Sequence, residues 1–431
     1  MVSLIDDSKL TVKPGNIAGE LEKIRRMAAD QDSRSDAAAG GSAAPRVKAT
    51  LSNLVLLTSS AGPGGISPAD RRLVDDLITD VCIQHPSRFF VVEYQGDAKA
   101  DTSSYQHGIL TAVSSRCVLT NSGAHVCSEE IYIGVSRQGI AAIPNLLISL
   151  FAPDVDVILL MLGDADREDD GFGSLLKAVR PVCSAVVYDS SKFADFAEGV
   201  WGTVGLRGEP GSLKLATQSD SRTSIPRPRD INYRRLRRWR ELLAEGFEGD
   251  RFASASAAVE RVIIRFSCGT EPKDNGRIPG EAFVIAGWIA ACLGWSPGLS
   301  RSKIPGGMAV QCSLNGEDRW FEFVVDSLPN PEGAARTLTE IDLHFNPQVF
   351  AGRLSVKRPV GSSVAELAVF EDQLKPDGAA SCEFFVRNAP CLDMTFESLV
   401  LKGIVAQRGD SEFDASIAGA LALASAPLRP R

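Results

Sequence analysis

The stretch LVLLTSSAGPGGISPADRRLVDDLITDVCIQHPSRFFVVEY, residues 54–94, decides the fold. LVLLT is an apolar run without polar alternation, as in a strand buried on both faces. The helix after it starts with Ser67 as cap, Pro68 in the first turn and Asp70 at the third position. Pro86 cannot continue that helix, and RFFVVEY is a second buried strand. The loop SSAGPGG between strand and helix lies where many folds hold a phosphate. It lacks a Gly-Lys-Ser/Thr ending and dinucleotide spacing, and Asp70 would repel an anion there. Capping is the preferred reading of Ser67.

Working outward, GILTAVSSRCVL and HVCSEEIYIGV form a hairpin around Asn121-Ser122-Gly123. With Gly123 in the left-handed position, counting outward places Cys117 opposite Cys127. Cross-strand Cβ atoms lie about 4.5–5.5 Å apart, so the pair is either a reducible disulfide or two buried thiols, the second being preferred. IPNLLISLF is a short helix, and VDVILLML and SAVVYDS are further buried strands. The alternation of strands and helices predicts an α/β domain on a mixed sheet covered on both faces.

The second half differs. After VERVIIRF and the apolar helix GEAFVIAGWIAACLGW, six strands follow one another from MAVQCSL to CEFFVR, then the helix FESLVLKGIVAQ and an Ala-rich tail. Strands without intervening helices predict an antiparallel sheet and an α+β domain. The boundaries are an amphipathic arm and linker at 1–46, an N-terminal α/β domain at 47–208, a connection at 209–232 and a C-terminal α+β domain at 233–431. In the arm, Ile17, Leu21, Ile24 and Met27 form one stripe that must dock, preferably on its own domain.

The 431 residues carry a net charge of -8 with 44% hydrophobic residues, an ordinary soluble composition that argues against a general polyanion binder. No apolar run approaches the roughly 20 residues of a membrane span, and the N-terminus lacks a secretory pattern, so the expected location is the cytoplasm. Nine cysteines without a CxxC pair fit a reducing compartment and buried thiols, and the four histidines show no zinc spacing. No nucleophile motif is present. Glu129 and Glu130 are adjacent on a strand and point to opposite faces, so they cannot form an acid/base pair. No cofactor or metal is expected.

RPRDINYRRLRRWREL, starting at Arg227, is the exception in an acidic chain. It predicts a helix over 233–248, capped at Asp230 or Asn232, with Leu236, Trp239, Leu243 and Phe247 as its apolar stripe. Arg234, Arg235, Arg237 and Arg238 lie off that stripe, so the expectation is an exposed basic face. Stacking aromatics of a single-strand binder are absent except for Tyr233 and Trp239, so RNA binding is the weakest reading.

HPSRFFVVE, SSRC…HVCSEEIYI, IPNLLISLFAPDVDVILLMLGD, VVYDSSKF and DINYRRLRRWREL occur in the order found in the glucose-6-phosphate dehydrogenase assembly proteins, and the sequence resembles that OpcA family. It departs at Cys127-Ser128, where the family has a double cysteine, at Leu160-Met161, where it has a tryptophan pair, and at Arg238, where it has proline. The resemblance implies a non-catalytic partner of glucose-6-phosphate dehydrogenase that favours the enzyme's active assembly. The partner- or ligand-binding candidates are His85, Ser87, Arg88, Glu129, Glu130, Asp189, Arg234, Arg235, Arg238 and Arg240, with Cys117 and Cys127 as a redox pair. The rival from another class is a sugar-phosphate sensor or divergent enzyme using His85, Arg88 and the SSAGPGG loop.

Overall fold

The computed structural model describes residues 10–24, 26, 46–47, 50–60, 68–96, 107–119, 125–162, 170–204, 226–248, 254–267, 278–326, 337–373, 380–405 and 410–428. The Ser67 cap, most of the SSAGPGG loop, Asn121-Ser122-Gly123, Met27 with the linker after it, and most of the 209–232 connection lie outside these residues.

The first sheet is mixed and runs, edge to edge, β1 (Leu10–Val12), β5 (Ile109–Leu119), β6 (His125–Val135), β4 (Ser87–Tyr94), β3 (Ser52–Ser59), β7 (Asp156–Met161), β8 (Ala185–Tyr188) and β9 (Arg227–Asp230), with β2 (Arg46–Val47) also on β6. From β6 to β9 the strands are parallel; β5 and β1 are antiparallel to their neighbours. One face, carrying Val55, Leu57, Phe90 and Val92, packs on Ile17 and Leu21 of α1 (residues 17–24). It also packs on α3 (Ile143–Leu150), α4 (Asp170–Val179) and α5 (Phe196–Val204). The arm therefore docks on its own chain, through both β1 and α1. The opposite face, with Leu54, Leu56, Phe89 and Val91, packs on α2 (Pro68–Gln84) and on α9 (Phe396–Ile404).

The second sheet runs β11 (Ser296–Ile304), β12 (Gly307–Leu314), β13 (Glu317–Asp326), β10 (Val259–Ser267), β14 (Thr337–Phe345), β15 (Gly352–Lys357), β16 (Val364–Gln373) and β17 (Ala380–Pro390). It is antiparallel except for the parallel β10–β13 pair, which the run of hairpin-like strands did not foretell. Its inner face meets α7 (Arg237–Glu245), α8 (Gly280–Leu293) and α10 (Ser411–Ala424). α8 and α10 pack so closely that a Cβ on Gly287 would lie 2.2 Å from the Ser416 carbonyl oxygen.

The sequence boundaries differ from this architecture in two places. β9, read as the end of the connection, adds the last strand of the first sheet, because its backbone pairs with β8 from Ala185 to Tyr188. α9, read as part of the C-terminal domain, closes the first sheet, because its apolar side chains Leu399, Val400 and Ile404 meet the part of the α2-side face that α2 leaves uncovered. One continuous apolar cluster runs from Ile17 through both sheets to Leu423. The Ala-rich tail forms α10, with Phe413, Ile417, Ala420 and Leu421 buried.

Candidate functional site

His85, Ser87 and Arg88 stand at the amino ends of the parallel strands, whereas open α/β sheets bind ligands outside the carboxyl ends. Their hydrogen bonds are internal. His85 Nε2 lies 3.2 Å from Ser52 Oγ, which is 2.9 Å from Ser87 Oγ. Burial, with the nearby Arg229 charge, holds the His85 imidazole below its usual pKa. Arg88 donates to Glu129 Oε2 at 2.9 Å and to the Leu150 carbonyl at 2.6 Å, tying β4 to β6 and to the end of α3. Glu130, on the opposite face, accepts from Arg116, from Tyr132 Oη at 2.6 Å and from Ser114 Oγ at 3.3 Å. Arg116 also reaches Asp75 Oδ1 at 2.9 Å and Thr79 Oγ1 at 2.8 Å on α2. In the rival reading His85 and Arg88 line a pocket with the SSAGPGG loop; here each points at a partner one element away, and most of that loop lies outside the described residues.

A second cluster lies at the carboxyl ends of β8 and β9. Asp230 is the N-cap of α6 (Ile231–Arg235) and accepts from Asn232 N at 2.9 Å, Ser190 N at 3.1 Å and Ser190 Oγ at 2.6 Å. Asp189 accepts from Ser191 Oγ at 2.6 Å and from Arg235 at 2.7 and 3.2 Å. Glu281, in the first turn of α8, stands 3.8 Å from Arg235. Burial alone would raise the Asp189 carboxyl, but the Arg235 contacts outweigh it and hold the group below its ordinary pKa. Burial pushes Asp230 up to about 7, and burial with the Asp189 charge does the same for Glu281. Two carboxyls, Asp189 and Glu281, thus share the Arg235 guanidinium where α6 and α8 meet the first sheet, with Asp230 bonded to Ser190 and Asn232 beside them. Asp189 and Arg235 were legible as candidates; Glu281 was missed, and its only sequence signal is an acid at the start of an otherwise apolar helix.

The arginine helix departs from expectation. It is two helices, α6 and α7, broken at Leu236, whose φ of -80° and ψ of 3° leave the α region. Its arginines do not form a free basic face. Arg240 bonds Glu412 at 2.9 Å and stacks 3.6 Å above the Tyr233 ring, while the same Glu412 oxygen accepts from Trp288 Nε1 at 2.8 Å. Arg234 faces Asp410 at 3.8 Å, and Arg238 reaches Glu241, Glu245 and the Pro390 carbonyl. Arg237 is the most exposed of the group at 66% and pairs with Glu241. Trp239, Leu242 and Leu243 are buried as the stripe requires. Sequence could not reveal these partners because Asp189, Asp410 and Glu412 are distant in the chain.

Cys117 and Cys127 face each other in the β5–β6 ladder and are joined by a disulfide, with Cα atoms 4.0 Å apart. Cys117 is exposed and Cys127 half-buried, so the preferred pair of buried thiols is not what forms. Buried thiols do occur at Cys82, Cys183, Cys312 and Cys391. Among the described residues no three His, Cys, Asp or Glu side chains group as a metal site, and no helix is long and apolar enough to cross a membrane.

The polar residues at both ends of the first sheet thus join elements to one another, in a two-sheet protein whose layers share one apolar cluster and are tied by ion pairs such as Arg235–Asp189. Its sequence matches two family models, the glucose-6-phosphate dehydrogenase subunit N-terminal domain over residues 79–201 and the C-terminal domain of the same subunit over 226–327. Together these cover more than half of the chain, which belongs to the OpcA glucose-6-phosphate dehydrogenase assembly family. It is 23% identical over 235 residues to a putative OxPP cycle protein OpcA of Nostoc punctiforme, 54% of this chain and 42% of that protein. A second putative OxPP cycle protein OpcA, from Synechococcus elongatus, is 25% identical over 191 residues, 44% of this chain and 37% of that protein. The matched part therefore spans under half the length of these relatives. A glucose-6-phosphate 1-dehydrogenase from Mycobacterium avium superposes with a TM-score of 0.47 and 8% identity, covering 87% of this chain and 91% of that one.

Proposed function

We propose that this chain is a non-catalytic assembly factor and activator of glucose-6-phosphate dehydrogenase. The observation that carries the reading is membership of the assembly family through both halves of the fold. The geometry agrees with it: His85, Ser87, Arg88, Glu129, Glu130, Asp189, Arg235 and Arg240, which an enzyme would aim at a substrate, bond to one another or to neighbouring elements. An activator raises the enzyme's effective affinity for glucose 6-phosphate only if it binds the active conformer better than the inactive one.

The test is to mix the purified chain with the dehydrogenase of its own host. Co-elution on size exclusion and a lower KM for glucose 6-phosphate are expected, with no turnover by the chain alone. Separate elution with an unchanged KM, or dehydrogenase activity in a preparation free of the host enzyme, would overturn the reading.

A further inference from the structure

The outer face of the second sheet has no element packed on it among the described residues; the helices that meet this sheet, α7, α8 and α10, join the core on its inner side. The ladder registers fix which side chains stand outward. Arg261, Ile263 and Arg265 of β10 lie beside His344, Asp342 and Glu340 of β14. Beyond them come Arg353, Ser355 and Lys357 of β15, then Phe370, Ala368 and Glu366 of β16. On the other side, β13 presents Trp320, Glu322 and Val324. The face is open: Arg261 is 49% exposed, and Arg353, Lys357 and Glu366 are exposed as well.

The charge alternates by strand. β13 is acidic, β10 basic, β14 acidic, β15 basic and β16 acidic, so the face is nearly neutral as a whole. Between the charges lies an apolar floor, with Ile263 at 7% and Ala368 at 2% exposure. Beside it, a groove of about 380 Å³ opens between Arg261, Arg265, Ile304 and Val324. Arg353 stacks 4.3 Å from the Phe370 ring, and Trp320 stands in the same outward row. Asp342, 3% exposed, has one carboxylate oxygen with no hydrogen-bond partner among the described residues. Aromatics and arginines around an apolar centre are the side chains that dominate binding at protein interfaces.

We propose that this face is a two-fold interface with a second copy of the chain. Four strands lie on each side of the line between β10 and β14. A two-fold axis along that line, parallel to the strands, overlaps the whole sheet with itself and sets β10 over β14 and β13 over β15. Basic rows then face acidic rows, and the partner's arginines come within reach of Asp342. An axis across the strands would set Arg261 over Arg265, and an axis directly above β10 or β14 would set a row on itself; both oppose like charges. Eight strands about 4.8 Å apart, with a six-residue strand about 20 Å long, give roughly 750 Å² per chain, the size of a standard interface. Sheets packed face to face keep their strands aligned within about 30°, as this axis requires.

The test uses the chain alone, so its result is independent of whether the dehydrogenase binds. Sedimentation over a concentration series should show the mass of two chains. Arg265→Glu and Glu340→Arg should each weaken self-association at least about a hundredfold, since like-charge contacts oppose association at an interface and each change acts twice. Their equimolar mixture should associate again, because the carboxylate introduced in one variant meets the guanidinium introduced in the other. Rescue by mixing separates a contact between chains from loss of the Arg265–Glu340 pair within one chain, which mixing cannot repair. A monomeric wild type at every concentration would overturn the proposal and leave the face to another occupant, such as the dehydrogenase. Variants that dimerise normally, or a mixture that stays monomeric, would overturn it too.

Discussion

The two sheets solve the same problem differently. In the first, Leu54, Val55, Leu56 and Leu57 follow one another and all are fully buried, because α2 and α9 cover one face and α1, α3, α4 and α5 the other. In the second, buried Val262 and Ile264 alternate with outward Arg261 and Arg265, and no described element covers the outward face. A continuous apolar run demands two covers, and the first sheet completes one of them with α9 from the far end of the chain. The difference predicts where damage is worst.

A chain ending at Asp393 loses α9 and α10, and with them the buried Leu399, Val400, Ile404, Phe413, Ile417 and Leu421. At about 1.5–3 kcal/mol for each buried side chain, the loss is about 10 kcal/mol or more, comparable with a typical domain's whole stability. Calorimetry should show no cooperative unfolding of the truncated chain. A transition within a few degrees of the full chain would mean that the first sheet is complete without α9.

On the inner side of the second sheet, Trp239→Ala should cost about 3–5 kcal/mol in urea denaturation, as truncation of buried aromatics does. A loss under about 1 kcal/mol would show that the tryptophan is not an anchor.

Arg235→Leu comes next, at about 3 kcal/mol, because it leaves Asp189 and Glu281 buried without their cation; the partial exposure of Arg235 keeps the figure at the low end for broken buried pairs. Arg234→Leu, whose partner Asp410 is more exposed, should cost far less. Equal losses would mean that burial of the partner carboxylate is not what distinguishes these arginines.

What the sequence disclosed follows from the range of the interactions. LVLLT, the α2 segment and RFFVVEY announced themselves because burial on two faces writes an apolar run, and the Cys117–Cys127 register followed from a local count. α9 as a cover, β9 as a sheet strand and the fate of the arginines stayed hidden. Each depends on a contact between distant segments, such as Arg229 with the Gly403 carbonyl or Arg240 with Glu412. The arginine helix looked like a basic surface because composition shows charge and not where its counter-charge sits.

The carboxyl cluster gives a pH signature. Burial raises Asp230 and Glu281 from the ordinary carboxylate range to about 7 in the fold. The folded state then holds protons that the unfolded chain releases, so the stability tied to these groups is present below about pH 4 and is lost as pH rises through about 7. Glu281→Gln removes one of them. Its melting temperature should fall less than that of the wild type between acid and neutral pH, and parallel curves would exclude Glu281 as a source of the slope.

The smallest stability effect belongs to Arg237→Ala. Arg237 is 66% exposed and among the described residues pairs only along its own helix with Glu241, in the weaker Arg-before-Glu order, so the change should stay within about 0.5 kcal/mol. It nevertheless tests whether α7 meets the dehydrogenase. An exposed charge acts mainly on encounter rate and is screened by salt, so Arg237→Ala should slow association with the enzyme modestly at low salt and not at all at high salt. Arg235, held by Asp189, has little free charge to offer a partner. If Arg237→Ala leaves the association rate unchanged at low ionic strength, this end of the basic helix serves the fold alone. A stability loss above about 1 kcal/mol would instead place Arg237 among the internal ties.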